Sequence, residues 1–221
     1  MSADPLTERT ATVAQELLER IGAARLVPVV VLDDAEQAAP LADALVAGGL
    51  PVAEVTFRTS AAVESIKAMS SRGDMLLGAG TVLTPDQVDA AVDAGASYIV
   101  SPGFSPAVVR RCVERGVLPL PGAVTATEIQ AALAEGLEAV KFFPAETSGG
   151  APAIKALSGP FGGLKVVPTG GIGPKNVAEY TAISSVLAIG GSWMVPRDAV
   201  AAGDFDRITT LTAEAVALVA A

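Results

Sequence analysis

A TIM-type (β/α)8 barrel with an extra N-terminal helix is the fold class predicted by this 221-residue sequence. Three observations predict it. An apolar run followed by a helix-patterned stretch recurs eight times, at a spacing of roughly 20 to 30 residues. No linker-like segment interrupts the series, so one domain is expected over 1–221, with 1–24 as the added helix and 25–221 as the barrel. Small and turn-forming residues follow nearly every run, as βα loops on the catalytic face of a barrel require. A doubly wound sheet is the competing architecture. It has no reason to stop at eight units, and the Gly-x-Gly-x-x-Gly that would follow its first strand is missing.

The elements follow in order. Val13, Leu17, Leu18 and Ile21 share one face of a helix predicted over Thr7–Ile21, capped by Thr7 or Asp4 and ended by Gly22. The run from Leu26 to Leu32 suits a strand buried on both faces. Asp33-Asp34 then caps a helix expected from Ala35 to Ala47, which Gly48-Gly49 stops. Strands are predicted near Val52–Phe57, Met75–Ala79, Tyr98–Ser101, Val117–Leu120, Ala139–Phe143, Lys165–Val167 and Val186–Ile189. The helices between them are expected near Ser60–Met69, Pro85–Asp93, Pro106–Arg115, Thr127–Glu135, Ala153–Leu157 and Pro174–Ile183, with a last one over Phe205–Val219. Thr84 caps the helix that opens at Pro85, and proline suits the first helical position. Met69, Met75 and Met194 read as core filler, and Trp193 as packing at the barrel mouth.

Composition removes several classes of function. The chain carries 24 acidic against 15 basic side chains, a net charge of −9. That argues against nucleic acid or an anionic membrane as a partner, while leaving room for a small anionic substrate held by local donors. There is no histidine, so the commonest general base and metal ligand is missing and proton transfer falls to Glu, Asp, Lys or Tyr. Cys112 is the single cysteine; no internal disulfide can form, and a reducing cytoplasm is the expected setting. The N-terminus, Met1-Ser-Ala-Asp-Pro, lacks the basic and apolar regions of a signal peptide, and no apolar run approaches the ~18 residues of a membrane span.

Two charged residues sit where the pattern calls for apolar ones. Lys141, in Ala139-Val-Lys-Phe-Phe-Pro144, is a lysine flanked on both sides by large apolar residues in the middle of a strand pattern. Burying an ammonium is costly unless it is paired or neutralised, and a sequestered amine can serve as a nucleophile. Glu54 lies inside Val52-Ala-Glu-Val-Thr-Phe-Arg58. Period-two alternation turns Glu54, Thr56 and Arg58 to the barrel interior and Val55 and Phe57 to the helices. By the same rule Lys141 and Phe143 share a face. Strands two and six are both even-numbered, so their inward side chains can meet in one layer. A purely structural ion pair is the alternative, although apolar replacements are often as stable as such a pair. Arg58, roughly 13 Å along the strand from Glu54, suits a substrate carboxylate if it curls back over the mouth. Gly170-Gly171 and Gly190-Gly191-Ser192 follow strands seven and eight, where many barrels hold phosphate through backbone N–H groups. Lys175 reads as a solvated helix residue, and Lys165 lies at the opposite, N-terminal end of its strand.

In order along the chain, Glu54-Val-Thr-Phe-Arg58, Gly78-Ala-Gly-Thr81, Ser101-Pro-Gly103, Lys141-Phe-Phe-Pro-Ala145, Pro168-Thr-Gly-Gly-Ile172 and Gly190-Gly-Ser-Trp193 resemble one family. It is the class I aldolases of 2-keto-3-deoxy-6-phosphogluconate (KDPG) and 4-hydroxy-2-oxoglutarate (KHG). The likeness runs from about Arg25 to the C-terminus. It implies a cytoplasmic homotrimer of the Entner–Doudoroff route that needs no metal or other cofactor. Its substrate would be a phosphorylated keto-sugar acid, split to pyruvate and glyceraldehyde 3-phosphate. It implies Lys141 as the Schiff-base lysine and Glu54 as the group that accepts and returns protons. Arg58, Thr81, Pro102 and Phe143 would line the pyruvate end, and Thr169, Gly170, Gly171, Gly191 and Ser192 the phosphate end. An aldolase for the galactonate epimer or for 4-hydroxy-2-oxoglutarate, and a non-catalytic phosphosugar-binding barrel, remain the alternatives.

Overall fold

The computed structural model describes residues 5–220, and all eight predicted strands are present. They are β1 (Leu26–Val30), β2 (Val52–Thr56), β3 (Leu76–Gly80), β4 (Tyr98–Val100), β5 (Leu118–Leu120), β6 (Ala139–Phe142), β7 (Lys165–Pro168) and β8 (Ile189–Gly191). Every pairing is parallel. Six strands form one ladder in the order β5-β4-β3-β2-β1-β8, and β6 pairs with β7 in another. Isolated bridges join the two ladders, Gly122 to Lys141 on one side and Val166 to Val186 and Thr169 to Gly190 on the other. The ring is thereby closed, with no strand edge left unpaired. Strands β1 to β6 are buried along their whole length, which is why their sequences read as apolar runs rather than as alternating ones.

Ten α-helices are described: α1 (Pro5–Ala24), α2 (Ala38–Ala47), α3 (Ala62–Ser70), α4 (Pro85–Asp93), α5 (Pro106–Glu114), α6 (Ala126–Ala134), α7 (Gly150–Ser158), α8 (Val177–Thr181), α9 (Arg197–Ala202) and α10 (Phe205–Ala220). Local side chains set several of their starts. Asp34 Oδ1 accepts from the Glu36 N–H at 2.9 Å, but it caps a 3-10 turn over Ala35–Gln37 rather than α2 itself. Thr84 accepts from Gln87 N at 3.3 Å, with Pro85 at the first position of α4. Thr125 and Glu128 form a reciprocal capping box at the start of α6.

Four expectations need correction. Helix α1 continues through Gly22 to Ala24, and Gly22 lies where a Cβ would crowd the end of the Leu187 side chain. The turn falls instead at Arg25, in the left-handed region at φ 58°. The cap proposed for this helix concerns Asp4 and the Thr7 side chain, which lie outside the described residues. Strand β8 occupies Ile189–Gly191, not Val186–Ile189. Helix α8 is shorter than expected, since Asn176 Oδ1 accepts from Gly173 N at 2.8 Å and holds the preceding segment as a turn. Helix α9, after Pro196, has no counterpart in the sequence reading.

Helix α1 packs against both β1 and β5, strands on opposite sides of the ring, and so lies across the barrel floor. Leu17, Leu18 and Ile21 are its buried face. A groove of about 1060 Å³ remains between α1 and the segments entering β5 and β6. Among the described residues no helix is long and apolar enough to cross a membrane.

Candidate active site

The barrel interior is built around β2 and β6. Glu54 pairs in register with Val29 of β1 and Gly78 of β3, and Lys141 lies between Gly122 and Val167. Lys141 Nζ stands 3.1 Å from Glu54 Oε1 and 3.5 Å from Oε2. The two side chains are only 5 % and 4 % exposed. The segment after β5 fixes the lysine backbone from one side: its N–H donates to Pro121 O at 2.9 Å, and its carbonyl accepts from Ala123 N at 2.8 Å. The Phe143 ring centroid lies 5.1 Å from Nζ, within reach of a cation–π contact.

Glycines make room for this pair. A Cβ on Gly80 would overlap the Glu54 carboxylate, and one on Gly78 would overlap the Tyr98 ring. Tyr98 is fully buried, and its hydroxyl donates to Ala53 O at 2.9 Å. Burial first, and the nearby Glu54 charge second, push that hydroxyl well above the ordinary tyrosine range. Tyr98 therefore stays protonated and braces β2 beside Glu54.

At the strand ends, Thr56 Oγ1 donates to Val30 O at 3.0 Å. Exposed Arg58 turns over the rim, its Nε donating to Thr81 Oγ1 at 3.2 Å. Thr81 holds φ 59°, an unusual conformation for a β-branched residue that costs on the order of 1–3 kcal/mol. Pro102 is half-buried beside Gly122. A Cβ on Gly122 would overlap the Pro102 carbonyl, so the loop after β4 rests directly on the segment after β5 that pairs with Lys141.

The residues expected to hold phosphate gather after β7 and β8. Thr169 bridges to Gly190; its buried Oγ1 has no hydrogen-bond partner among the described residues and occupies the place of a Cβ on Gly190. Gly170 and Gly171 adopt φ 103° and 79°, where glycine is favoured. Gly191 is buried under the Trp193 ring, and Ser192 is exposed. Two residues overlooked in the sequence hold this region. Asn176 Nδ2 donates to Gly171 O at 3.2 Å. Glu146 accepts from the Tyr180 hydroxyl, and its own N–H donates to Gly170 O at 3.1 Å. An asparagine three residues after a glycine is a turn signal that could have drawn attention to Asn176. Nothing local marks Glu146, which works through a partner 34 positions away. Cys112 takes no part: it is buried, and burial raises its thiol to about 12.

The arrangement is a primary amine and a carboxylate in proton-transfer contact, sequestered inside a (β/α)8 barrel with an arginine and glycine-rich loops at its rim. That is the equipment of a Schiff-base lyase acting on an anionic carbonyl compound. The comparisons agree. Residues 17–211 match the family model for KDPG and KHG aldolase. The 2-dehydro-3-deoxy-phosphogluconate aldolase of Treponema pallidum is 51 % identical over 205 residues, 92 % of this chain and 96 % of that one. The KHG/KDPG aldolase of Escherichia coli is 48 % identical over 193 residues, 86 % of this chain and 90 % of that one. A crystal structure of KDPG aldolase from Legionella pneumophila, with pyruvate captured at low pH as a covalent carbinolamine intermediate, superposes with a TM-score of 0.86. It is 39 % identical and covers 90 % of this chain and 97 % of its own. The Zymomonas mobilis enzyme with 3-phosphoglycerate gives 0.87 at 40 % identity, covering 93 % and 97 %. The chain belongs to the KDPG/KHG aldolase family.

The ion pair has an energetic signature. Lys141→Met leaves Glu54 buried without its partner and is expected to destabilise the fold by about 3 kcal/mol. The double variant Lys141→Met with Glu54→Leu should recover most of that loss. Urea unfolding of the three proteins measures both steps.

Proposed function

We propose that this chain is a class I aldolase that cleaves KDPG to pyruvate and glyceraldehyde 3-phosphate through an imine on Lys141. The observation that carries the reading is the 3.1 Å contact between Lys141 Nζ and Glu54 Oε1 inside the barrel. Passage of a proton across it frees the amine to attack the C2 ketone, and loss of water from the carbinolamine gives the imine. The imine then accepts the electron pair of the C3–C4 bond as that bond breaks. Glu54, directly or through one water, takes the C4 hydroxyl proton, and the aldehyde leaves. The resulting enamine is protonated at C3, and hydrolysis releases pyruvate and Lys141. One carboxylate can serve each proton step in turn, so a chain without histidine can carry the sequence.

Arg58, steered by Thr81, would bind the substrate carboxylate, with Pro102 and Phe143 bounding the pyruvate end. Backbone N–H groups of Gly170, Gly171 and Gly191, with the Thr169 and Ser192 hydroxyls, would bind the distal phosphate. The relative in E. coli named for both substrates favours turnover of 4-hydroxy-2-oxoglutarate as a second activity. The same reading places the enzyme in the cytoplasm as a homotrimer, with residues 25–221 as one catalytic barrel and 1–24 as its added helix.

Borohydride with pyruvate should leave a stable adduct on Lys141, read by intact mass and peptide mapping; no adduct, or one on another lysine, defeats the mechanism. Glu54→Gln should slow turnover by ~100-fold, the usual scale for a general base, in an assay coupled to pyruvate. Light scattering should report three times the chain mass; a monomer would reject the trimer.

A further inference from the structure

The mouth of the barrel holds a second arginine that the reading above does not use. A cleft of about 310 Å³ opens between the C-terminal ends of β1, β2 and β8, and Asp33, Arg58, Thr59, Ser192, Pro196 and Arg197 line it. Among the described residues Arg58 and Arg197 are the only cations of its wall, and Asp33 is the only anion. The two arginines are differently engaged. Arg58 reaches towards β3, with its Nε on Thr81. Arg197 reaches the other way, to the loop after β1, where its Nη2 lies 2.8 Å from Asp33 Oδ2. Both members of that pair are about two-thirds exposed, at 67 % and 69 %. An ion pair so exposed is weak and exchanges readily.

The proposed substrate carries a negative charge at each end. Arg58 answers the carboxylate. The groups assigned to the phosphate, two hydroxyls and three backbone amides, are all uncharged. Lys165 is at the far end of β7, and Lys175 is exposed within the turn that Asn176 holds. Arg197 lies five positions after Ser192 and lines the same cleft. A guanidinium suits a phosphate bidentately.

We infer that Arg197 is a specificity-determining residue: it binds the distal phosphate of the substrate, and Asp33 is the resting partner which that phosphate displaces. The inference rests on the aldolase reading for the identity of the ligand. In the empty protein Asp33 neutralises Arg197, so a ligand without a phosphate has little to gain at this end. A phosphorylated ligand competes for the guanidinium and gains a charge-assisted contact. A purely structural pair, tying α9 to the loop after β1, would treat both kinds of ligand alike.

The test uses the full chain with 3-phosphoglycerate and pyruvate as probes, their dissociation constants measured by calorimetry for wild type, Arg197→Ala, Asp33→Asn and Asp198→Asn. Asp198 pairs with Arg207 on α10 and reports the loss of an unrelated ion pair on the same helix. Arg197→Ala should weaken 3-phosphoglycerate about 10-fold, the low end for a hydrogen bond to a charged group, and leave pyruvate within about twofold. Asp33→Asn should tighten 3-phosphoglycerate, and Asp198→Asn should change neither. Equal weakening of both probes by Arg197→Ala, unchanged 3-phosphoglycerate binding, or no binding of it by the wild type each overturns the inference. Turnover of the phosphorylated and unphosphorylated substrates is measured beside this. A wild type that cleaves neither would refute the aldolase reading, while the binding data still judge Arg197.

Discussion

The contact between Lys141 and Glu54 constrains more of this barrel than any other interaction. Two opposite charges are almost fully withdrawn from water, an arrangement whose desolvation cost is several kcal/mol per ion before their attraction offsets it. The surroundings make that attraction dependable. Gly80 leaves space for the carboxylate, Tyr98 braces the strand that carries it, and the segment after β5 holds the lysine backbone. A pair kept only for packing would need none of this, because an apolar pair of similar volume fills the same space. The cost is intelligible when the two groups exchange protons with a substrate.

Around this centre the loops divide the work by strand. Those after β2 and β3 present Arg58 and Thr81; those after β4 and β5 press Pro102 against Gly122 beneath the lysine. The loops after β6 and β7 are joined through Glu146, Gly170 and Tyr180. The rim arginine and the glycine-rich loops are set by different strands, so they can vary independently while the central pair stays fixed. This separation is a general strength of barrel enzymes.

Much of this was legible in the sequence, and for identifiable reasons. Glu54 and Lys141 stand out because a charged residue inside an apolar strand pattern is anomalous, and period two together with the even strand numbers brings them together. Strand β8 was displaced because Gly190-Gly191 reads as a turn. Those glycines are strand residues whose Cβ positions are taken by Thr169 and by Trp193, a fact that exists only after folding. The α1 terminus was misplaced for the same kind of reason, Gly22 packing closely on Leu187 within the helix. Gly80 carries no local sign that it serves Glu54. Arg197 and Asp33 look like ordinary surface charges until the barrel closes β8 onto β1 and brings residues 164 positions apart into contact.

The left-handed backbone at Thr81 has a consequence for how such a protein responds to selection. A glycine there would relax the chain, and a screen rewarding heat resistance alone would favour it. The same exchange would delete the hydroxyl on which Arg58 leans. If Arg58 binds substrate as proposed, directed evolution towards durability and towards turnover should pull this one codon in opposite directions, and a tougher barrel obtained through it would be a poorer catalyst.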